Sequence, residues 1–319
     1  MNERLAIVVP CYNEEEVLPE SIPVLCGLIK DLAAKGKVSE QSFVLFVNDG
    51  SHDRTWEILK KAHEEDPMVW AQKLSRNCGH QSALLSGLMT AREHADLSIS
   101  IDADLQDDTG VIEQMIDQYH EGCEIVYGIR SGRKKDSFFK RFTAQSFYKL
   151  LAGMGVKTVY NHADFRLMSQ KALDELAQYQ ESNLYLRGLI PLLGLKTGEV
   201  HYERKERTAG TSKYPFGKML GLALNGITSF SVKPIRMVFT MGILVMVICL
   251  AAAIYAFVSY MNGNVEPGWT STILSIWFLG GIQLLAIGVI GEYIGKIYAE
   301  VKRRPLYHVE ELLDSKTES

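Results

Sequence analysis

The 319-residue sequence has no glycine-rich phosphate loop of the GxGxxG or GxxxxGKS type, so the usual marks of a dinucleotide fold or a P-loop NTPase are missing. Its five cysteines, Cys11, Cys26, Cys78, Cys123 and Cys249, form no CxxC pair. That spacing supports neither a zinc knuckle nor a disulfide framework, and it fits reduced thiols in a cytosolic compartment. His80, His94, His162 and His201 are scattered without ligand-like intervals and read as structural or surface residues. No Ser-His-Asp arrangement is indicated. Excess positive charge is also absent: the formal net charge is -4, which gives no support to nucleic acid as a partner. The first apolar run, Leu5 to Val9, is too short for a secretory leader and runs on into Asn13-Glu14-Glu15-Glu16. The polar part of the chain is therefore expected to stay unexported.

Charge is missing altogether from Met237 to Met261 and again from Thr270 to Gly291. Each stretch is long enough to cross about 30 Å of hydrocarbon, and that length disfavours the alternative of two buried core helices. Lys233 and Arg236 precede the first stretch, and Lys296, Lys302, Arg303 and Arg304 follow the second, while Asn262 to Ser271 contains no Lys or Arg. The bias places both chain ends in the cytoplasm, with Tyr260 and Trp269 as interfacial anchors. Just upstream, Phe216, Met219, Leu220, Ala223, Leu224, Ile227 and Phe230 recur at helical spacing. They describe either an amphipathic helix in the membrane interface or a helix packed on the soluble part. Gly291 and Gly295 form a GxxxG, a weak hint of helix packing.

The first two thirds of the chain alternate between strand and helix patterns. Leu5–Val9, Phe43–Val47, Val69–Leu74, Leu97–Ile101 and Glu124–Gly128 read as strands. Glu15–Lys35, Asp53–Glu65, Gln81–His94 and Val111–Glu121 read as helices between them. The expected fold class is α/β, a Rossmann-like, mostly parallel sheet followed by a two-helix membrane anchor. The expected divisions are a globular domain over 1–214, an interfacial helix over 215–232, spans over 235–261 and 270–295, and a cytoplasmic tail over 296–319. Open sheets of this kind bind ligands beyond the carboxyl ends of their strands. Polar residues collect there: Asn48-Asp49-Gly50 after one strand, Arg76-Asn77 after another, Asp102-Ala103-Asp104 after a third.

Asp102-Ala103-Asp104-Leu105-Gln106 carries the most chemistry. In extended backbone, alternate residues share a face, so Asp102, Asp104 and Gln106 are expected to converge on one hard cation such as Mg2+ or Mn2+. Such a cation offsets charge on a leaving diphosphate. The plain alternative is an acidic turn in water. Asp49 is placed to hydrogen-bond a base or ribose, with Gly50 permitting a tight turn, although Ser51 or Asp53 would equally serve as a helix cap. Tyr12 offers a flat face to a nucleobase, and Asn13 and Glu14 offer polar edges. Arg130, Arg133, Lys134 and Lys135 cluster after a strand, and Arg207 and Lys213 flank a glycine-containing segment before the interfacial stretch. Both groups suit a phosphate at a membrane surface; the Arg130 cluster suits a lipid-headgroup patch without catalysis as well.

Taken in order, Pro10-Cys11-Tyr12-Asn13-Glu14, Asn48-Asp49-Gly50-Ser51, Arg76-Asn77-Cys78-Gly79-His80 and Asp102-Ala103-Asp104-Leu105-Gln106-Asp107 resemble family 2 glycosyltransferases of the GT-A fold. Asp164-Phe165-Arg166-Leu167-Met168, then Arg207-Thr208-Ala209-Gly210-Thr211-Ser212-Lys213-Tyr214, then the two apolar stretches narrow the likeness. The chain is similar to bacterial bactoprenol-phosphate glucosyltransferases, relatives of dolichyl-phosphate mannose synthase. That resemblance implies a donor such as UDP-glucose, a polyprenyl phosphate acceptor, and Mg2+ or Mn2+. It assigns Pro10, Tyr12, Asn13, Glu14, Asp49, Asn77, Asp102, Ala103 and Asp104 to the nucleotide, and Asp102, Asp104 and Gln106 to the metal. Arg130, Arg133 and Ser212 fall to the lipid phosphate, and Asp164, Arg207 and Lys213 to catalysis. In that family an aspartate in the Asp164 segment is taken as a base. A phosphate monoester, already anionic near neutral pH, hardly needs one, so Asp164 as an orienter of Arg166 or Lys213 remains the alternative. The sequence allows a homo-oligomer without specifying one.

Two other functions stay in view. A processive polysaccharide synthase usually carries QxxRW after its acidic motif, and here Trp56, Trp70, Trp269 and Trp277 never follow an arginine. A non-catalytic scaffold built on a degenerate sugar-nucleotide-binding domain is disfavoured by the intact set Asp49, Asp102, Asp104, Arg207 and Lys213.

Overall fold

The computed structural model describes residues 3–130, 162–179, 181, 184–203, 233–262 and 268–315. The chain divides into two units, Met1–Gln145 with Lys157–Lys213 and Arg303–Ser319, and Ser146–Val156 with Tyr214–Lys302.

The first unit follows the expected alternation: β1 (Leu5–Cys11), α1 (Leu18–Ala34), β2 (Phe43–Asn48), α2 (Thr55–Glu65), β3 (Val69–Leu74), α3 (His80–His94), β4 (Leu97–Ser100), α4 (Ile112–His120) and β5 (Ile125–Arg130). Beyond these come β6 (His162–Ser169), α5 (Gln170–Leu176), the single turn α6 (Leu186–Leu189), β7 (Thr197–Tyr202) and β8 (Val309–Leu313). The strands form one sheet in the order β7-β5-β6-β4-β1-β2-β3-β8. β1 runs parallel to β2 and β4, β2 to β3, and β5 to β7; β6 and β8 run antiparallel to their neighbours.

Hydrophobic pattern explains the centre of this sheet. Every residue of β2 is buried, as expected for a parallel strand covered on both faces. Alternation then splits the core in two. Leu5, Ile7 and Val9 join Val44 and Phe46 on one face, and Ala6 and Val8 join Leu45 and Val47 on the other. Helix α3 lies unusually close to the second face at Gly87, where a Cβ would stand 2.5 Å from a methyl of Val8 and 2.7 Å from one of Val47. That close seat brings the start of α3, at His80, to the carboxyl ends of the strands.

The loops after β2 and β3 touch as closely. Gly50 has φ +63°, and a Cβ there would meet the backbone nitrogen of Asn77 at 2.5 Å and the carbonyl carbon of Arg76 at 2.6 Å. Neither atom is free to move aside. Gly50→Ala is therefore expected to destabilise the protein by about 2–4 kcal/mol in a urea titration, from left-handed strain plus overpacking. A loss below about 0.5 kcal/mol, the range of ordinary surface changes, would refute this account of the loop contact.

The segment after the second apolar stretch differs from a simple tail. Val309–Leu313 pairs antiparallel with β3 as β8, and Lys73 reaches Glu310 at 3.0 Å. Its run of Val-Glu-Glu-Leu-Leu has no clean alternation, because an edge strand is buried on little of its length.

The second unit contains α7 (Lys233–Met261) and α8 (Trp269–Lys302). Each holds a segment long and apolar enough to cross a membrane: Ile235–Ala252, with mean hydropathy 2.4, and Phe278–Lys302, with 1.5. None of either segment is buried within the protein, and Leu244, Met246, Leu284 and Ile287 stand exposed. Apolar surface on that scale calls for an apolar surrounding. The interfacial helix expected over 215–232 lies outside the described residues.

Candidate active site

The carboxyl ends of β1 and β2 are laced together by short polar side chains. Asn13 sits at φ 55°, a conformation that asparagine tolerates better than most residues. Its N–H donates to Ser51 Oγ at 3.0 Å, and its Oδ1 accepts from the His52 N–H at 2.9 Å. The Glu14 N–H donates to Thr55 Oγ1 at 2.9 Å. Tyr12 is exposed, with its ring edge-on to His52 at a centroid distance of 6.4 Å. Pro10 lies within β1, in register with Val47. A cavity of about 590 Å3 opens beside this lacing, walled by Asn13, Glu14, Glu15, Glu16 and Asp53 among others. Its acidic wall suits a phosphate poorly.

Asp49 has an internal task. It is buried, and its carboxylate accepts the N–H of Cys78 at 2.7 Å and of Gly79 at 2.9 Å. Burial raises its pKa, and the two backbone donors oppose that rise. Asp49 thus shapes the loop that carries Asn77 and His80. The base or ribose contact expected of Asp49 competes with donors already in place. Asn77 is exposed in that loop, its Oδ1 accepting the Gly79 N–H at 3.2 Å.

The acidic motif is a turn and not an extended strand. β4 ends at Ser100, Leu105 has φ 45°, and its N–H reaches the carbonyl of Asp102 at 3.3 Å. Alternation along a strand therefore does not align Asp102, Asp104 and Gln106, which corrects the geometric argument made from sequence. Ala103 and Gln106 are buried, and Asp102 and Asp104 are half-buried. Asp104 Oδ1 accepts the Gln106 N–H at 3.3 Å. Among the described residues, no group of three or more His, Cys, Asp or Glu side chains is arranged to hold a metal ion. Burial raises the Asp102 pKa; His80 counters this, and Asp164, Asp107 and Asp104 add to it. The motif is thus a knot of like charge.

A cationic cluster stands next to it. Asp164, on β6, is buried and surrounded by donors. Arg166 Nη2 donates to its Oδ1 at 2.5 Å, and Arg187 holds both oxygens, Nε to Oδ1 at 3.2 Å and Nη2 to Oδ2 at 2.9 Å. His80 Nε2 lies 3.4 Å from Asp164 Oδ2 and 3.9 Å from Asp102 Oδ1, bridging the two aspartates. Gln81 reaches Asp164 Oδ2 at 3.4 Å, and its own Oε1 accepts the Leu186 N–H at 3.0 Å. Burial alone would raise the Asp164 pKa, but His80, Arg166 and Arg187 together hold it well below the usual carboxylate range. Burial likewise disfavours charge on His80, yet its hydrogen bond to Asp164 and the fields of Asp102 and Asp164 raise its pKa. A carboxylate so encircled accepts no proton near neutrality; it positions cations. Arg166 is fully buried, while the Arg187 side chain is 41% exposed and so open to a ligand.

Arg130 is occupied elsewhere. Its guanidinium donates to buried Asp107 at 3.0 Å, and Tyr202 donates its hydroxyl to the same carboxylate at 2.6 Å. Burial pushes the Tyr202 hydroxyl up, and Asp107 adds to the shift. The lipid-phosphate role expected of Arg130 meets an ion pair that already uses its charge. Arg133, Lys134, Lys135, Arg207, Ser212 and Lys213 lie outside the described residues.

His80, read from sequence as a structural or surface residue, lies between Asp102 and Asp164. Arg166 entered only as a cation that Asp164 could orient, the pairing found here. Arg187 was not singled out at all. Arg166 had a signal, its i,i+2 spacing from Asp164 on one strand face. Arg187 had none, since a single-turn helix brings it in from 23 residues away.

The sequence matches the family described as Glycosyl transferase family 2 over residues 6–177, and the GtrB C-terminal hairpin over residues 233–297. It is 53% identical to the uncharacterized glycosyltransferase YkoT of Bacillus subtilis, covering 96% of this chain and 91% of that one. It is 39% identical to the SfII prophage-derived bactoprenol glucosyl transferase of Shigella flexneri, covering 95% and 96%. Among solved structures, glucosyl-3-phosphoglycerate synthase of Mycobacterium tuberculosis aligns with a TM-score of 0.45 at 16% identity, over 72% of this chain and 79% of that one.

Proposed function

The chain belongs to glycosyl transferase family 2, and from that premise we propose that it moves a single hexose, glucose from UDP-glucose, onto undecaprenyl or another polyprenyl phosphate at the cytoplasmic membrane face. The observation that carries this reading is the pairing of an acidic turn, Asp102 and Asp104, with a cationic cluster built on Asp164. The relative of Shigella flexneri, matched over nearly its whole length, supports the acceptor class. The two apolar helices support a multi-pass inner-membrane protein with both ends in the cytoplasm.

The reaction is a displacement at the anomeric carbon. An oxygen of the lipid phosphate forms the new bond, and the bond to UDP breaks with its electron pair leaving on the diphosphate. The configuration inverts. The nucleophile carries its charge already, since a phosphate monoester has a second pKa of about 6. What it needs is a cationic guide, and Arg187, held by both oxygens of Asp164 and partly exposed, is set to be one. His80 links that guide to Asp102. Arg207 and Lys213 are proposed to join the same task.

Asp102 and Asp104 offer half-buried carboxylate oxygens on one turn, crowded by the like charges of Asp107 and Asp164, which a cation would relieve; with Gln106 they are proposed as the residues that would hold Mg2+ or Mn2+. When bound, that ion supplies neutralisation of the departing diphosphate.

A donor panel tests the reading. UDP-glucose is expected to be consumed only when undecaprenyl phosphate is present, and faster than the GDP sugars. Equal consumption without the lipid would contradict it, and UDP binding in calorimetry with no transfer to any lipid would favour the non-catalytic scaffold.

A further inference from the structure

Within the first unit, a second cavity of about 420 Å3 lies away from the acidic turn. Leu85 and Met89 of α3, Leu176 at the end of α5, and Leu306 give it apolar walls, and Arg303 and Arg304 stand on its lining as well. Both arginines are exposed, and neither has an ion-pair partner among the described residues. Arg303 adopts φ 45°, a backbone state that glycine or asparagine would hold with less strain. A long cationic side chain is kept there all the same. Arg303 follows directly on Lys302, the last residue of α8.

We propose that this cavity binds the headgroup of an anionic phospholipid, with Arg303 and Arg304 on the phosphate and the apolar wall on the first carbons of the acyl chains. The proposal rests on the reading of α8 as membrane-spanning. A spanning helix that ends at Lys302 delivers the next residues to the headgroup layer, where each basic residue is drawn to anionic lipid. Charge complementarity and an apolar wall then select an anionic amphiphile over a free anion. The alternative task for the arginines, offsetting the negative end of the α8 dipole, is indifferent to which lipid is present. Past the cavity the chain continues through Tyr307 into β8, so a lipid held here would fasten the strand that edges β3.

Thermal unfolding of the detergent-solubilised full chain tests this, with dihexanoyl phosphatidylglycerol, dihexanoyl phosphatidylcholine and inorganic phosphate as probes. The phosphatidylglycerol is expected to raise the melting temperature saturably, and the other two are not. Arg303→Gln with Arg304→Gln is expected to weaken that effect at least tenfold while leaving the unliganded melting temperature near the parent's. Equal shifts from phosphatidylglycerol and phosphatidylcholine, an equal shift from inorganic phosphate, or an unchanged double variant would overturn the proposal. So would competition in which a short-chain polyprenyl phosphate displaces the phosphatidylglycerol, because the cavity would then be an acceptor site. Retention of the chain in alkaline-washed membranes separates the two levels. If it washes off, the spanning reading fails; if it stays without a lipid preference, only this inference falls.

Discussion

Asp164→Asn is expected to lower turnover by roughly two to three orders of magnitude while UDP affinity changes only a few-fold. The amide keeps the shape of the carboxylate but loses its charge. Arg187 and Arg166 then lose their shared anion, and an amide nitrogen turned toward either guanidinium is repulsive. On the proposal that the cluster guides the acceptor, the loss is expected in single-turnover rate more than in donor binding. Arg187→Lys is expected to follow it in direction, since an ammonium cannot span both oxygens. The pH dependence separates positioning from base catalysis. With its folded pKa held below the ordinary carboxylate value, Asp164 contributes stability that is present above about pH 4 and is lost only as pH falls through the lowered value. No limb in the rate profile between pH 5 and pH 8 is therefore expected from Asp164. Near-normal single-turnover rates in Asp164→Asn would remove it from the mechanism, and a limb that vanishes in that variant would restore the base.

The double change Asp102→Asn and Asp104→Asn is expected to cost on the order of 10³-fold in rate. It is also expected to make UDP binding indifferent to Mn2+, which calorimetry reads without any turnover. Stability should move the other way. Asp102 is a carboxyl whose folded pKa is raised, so its charge opposes folding near neutrality and that penalty fades as pH falls. Without metal, the variant is expected to melt no lower than the parent at pH 7. A clear drop in melting temperature, together with Mn2+-sensitive UDP binding, would place the cation elsewhere.

Much of the parallel core was legible in the sequence because its strands are continuous apolar runs between helices of regular spacing, as in Phe43–Asn48. The edges were not. β7 is polar and contains Gly198, and β8 arrives from beyond α8, so local pattern carried little of either. In the candidate site, the ordered motifs pointed to Asp49, Asp102, Asp104 and Asp164 as candidates without showing what they touch. Asp49 spends its carboxylate on two backbone N–H groups, and Arg130 spends its charge on Asp107. Such partners come from separations of 29 and 23 residues, which no periodicity encodes. The left-handed Leu105 shows the same limit, since a leucine gives no hint of a turn.

The central claim, one sugar placed on a membrane-held phosphate, is tested most directly by weighing the lipid. Purified protein given UDP-glucose, undecaprenyl phosphate and Mg2+ should yield a lipid heavier by a single hexose and no heavier species. Unchanged lipid with every donor tried, or a ladder of added sugars, would contradict the account.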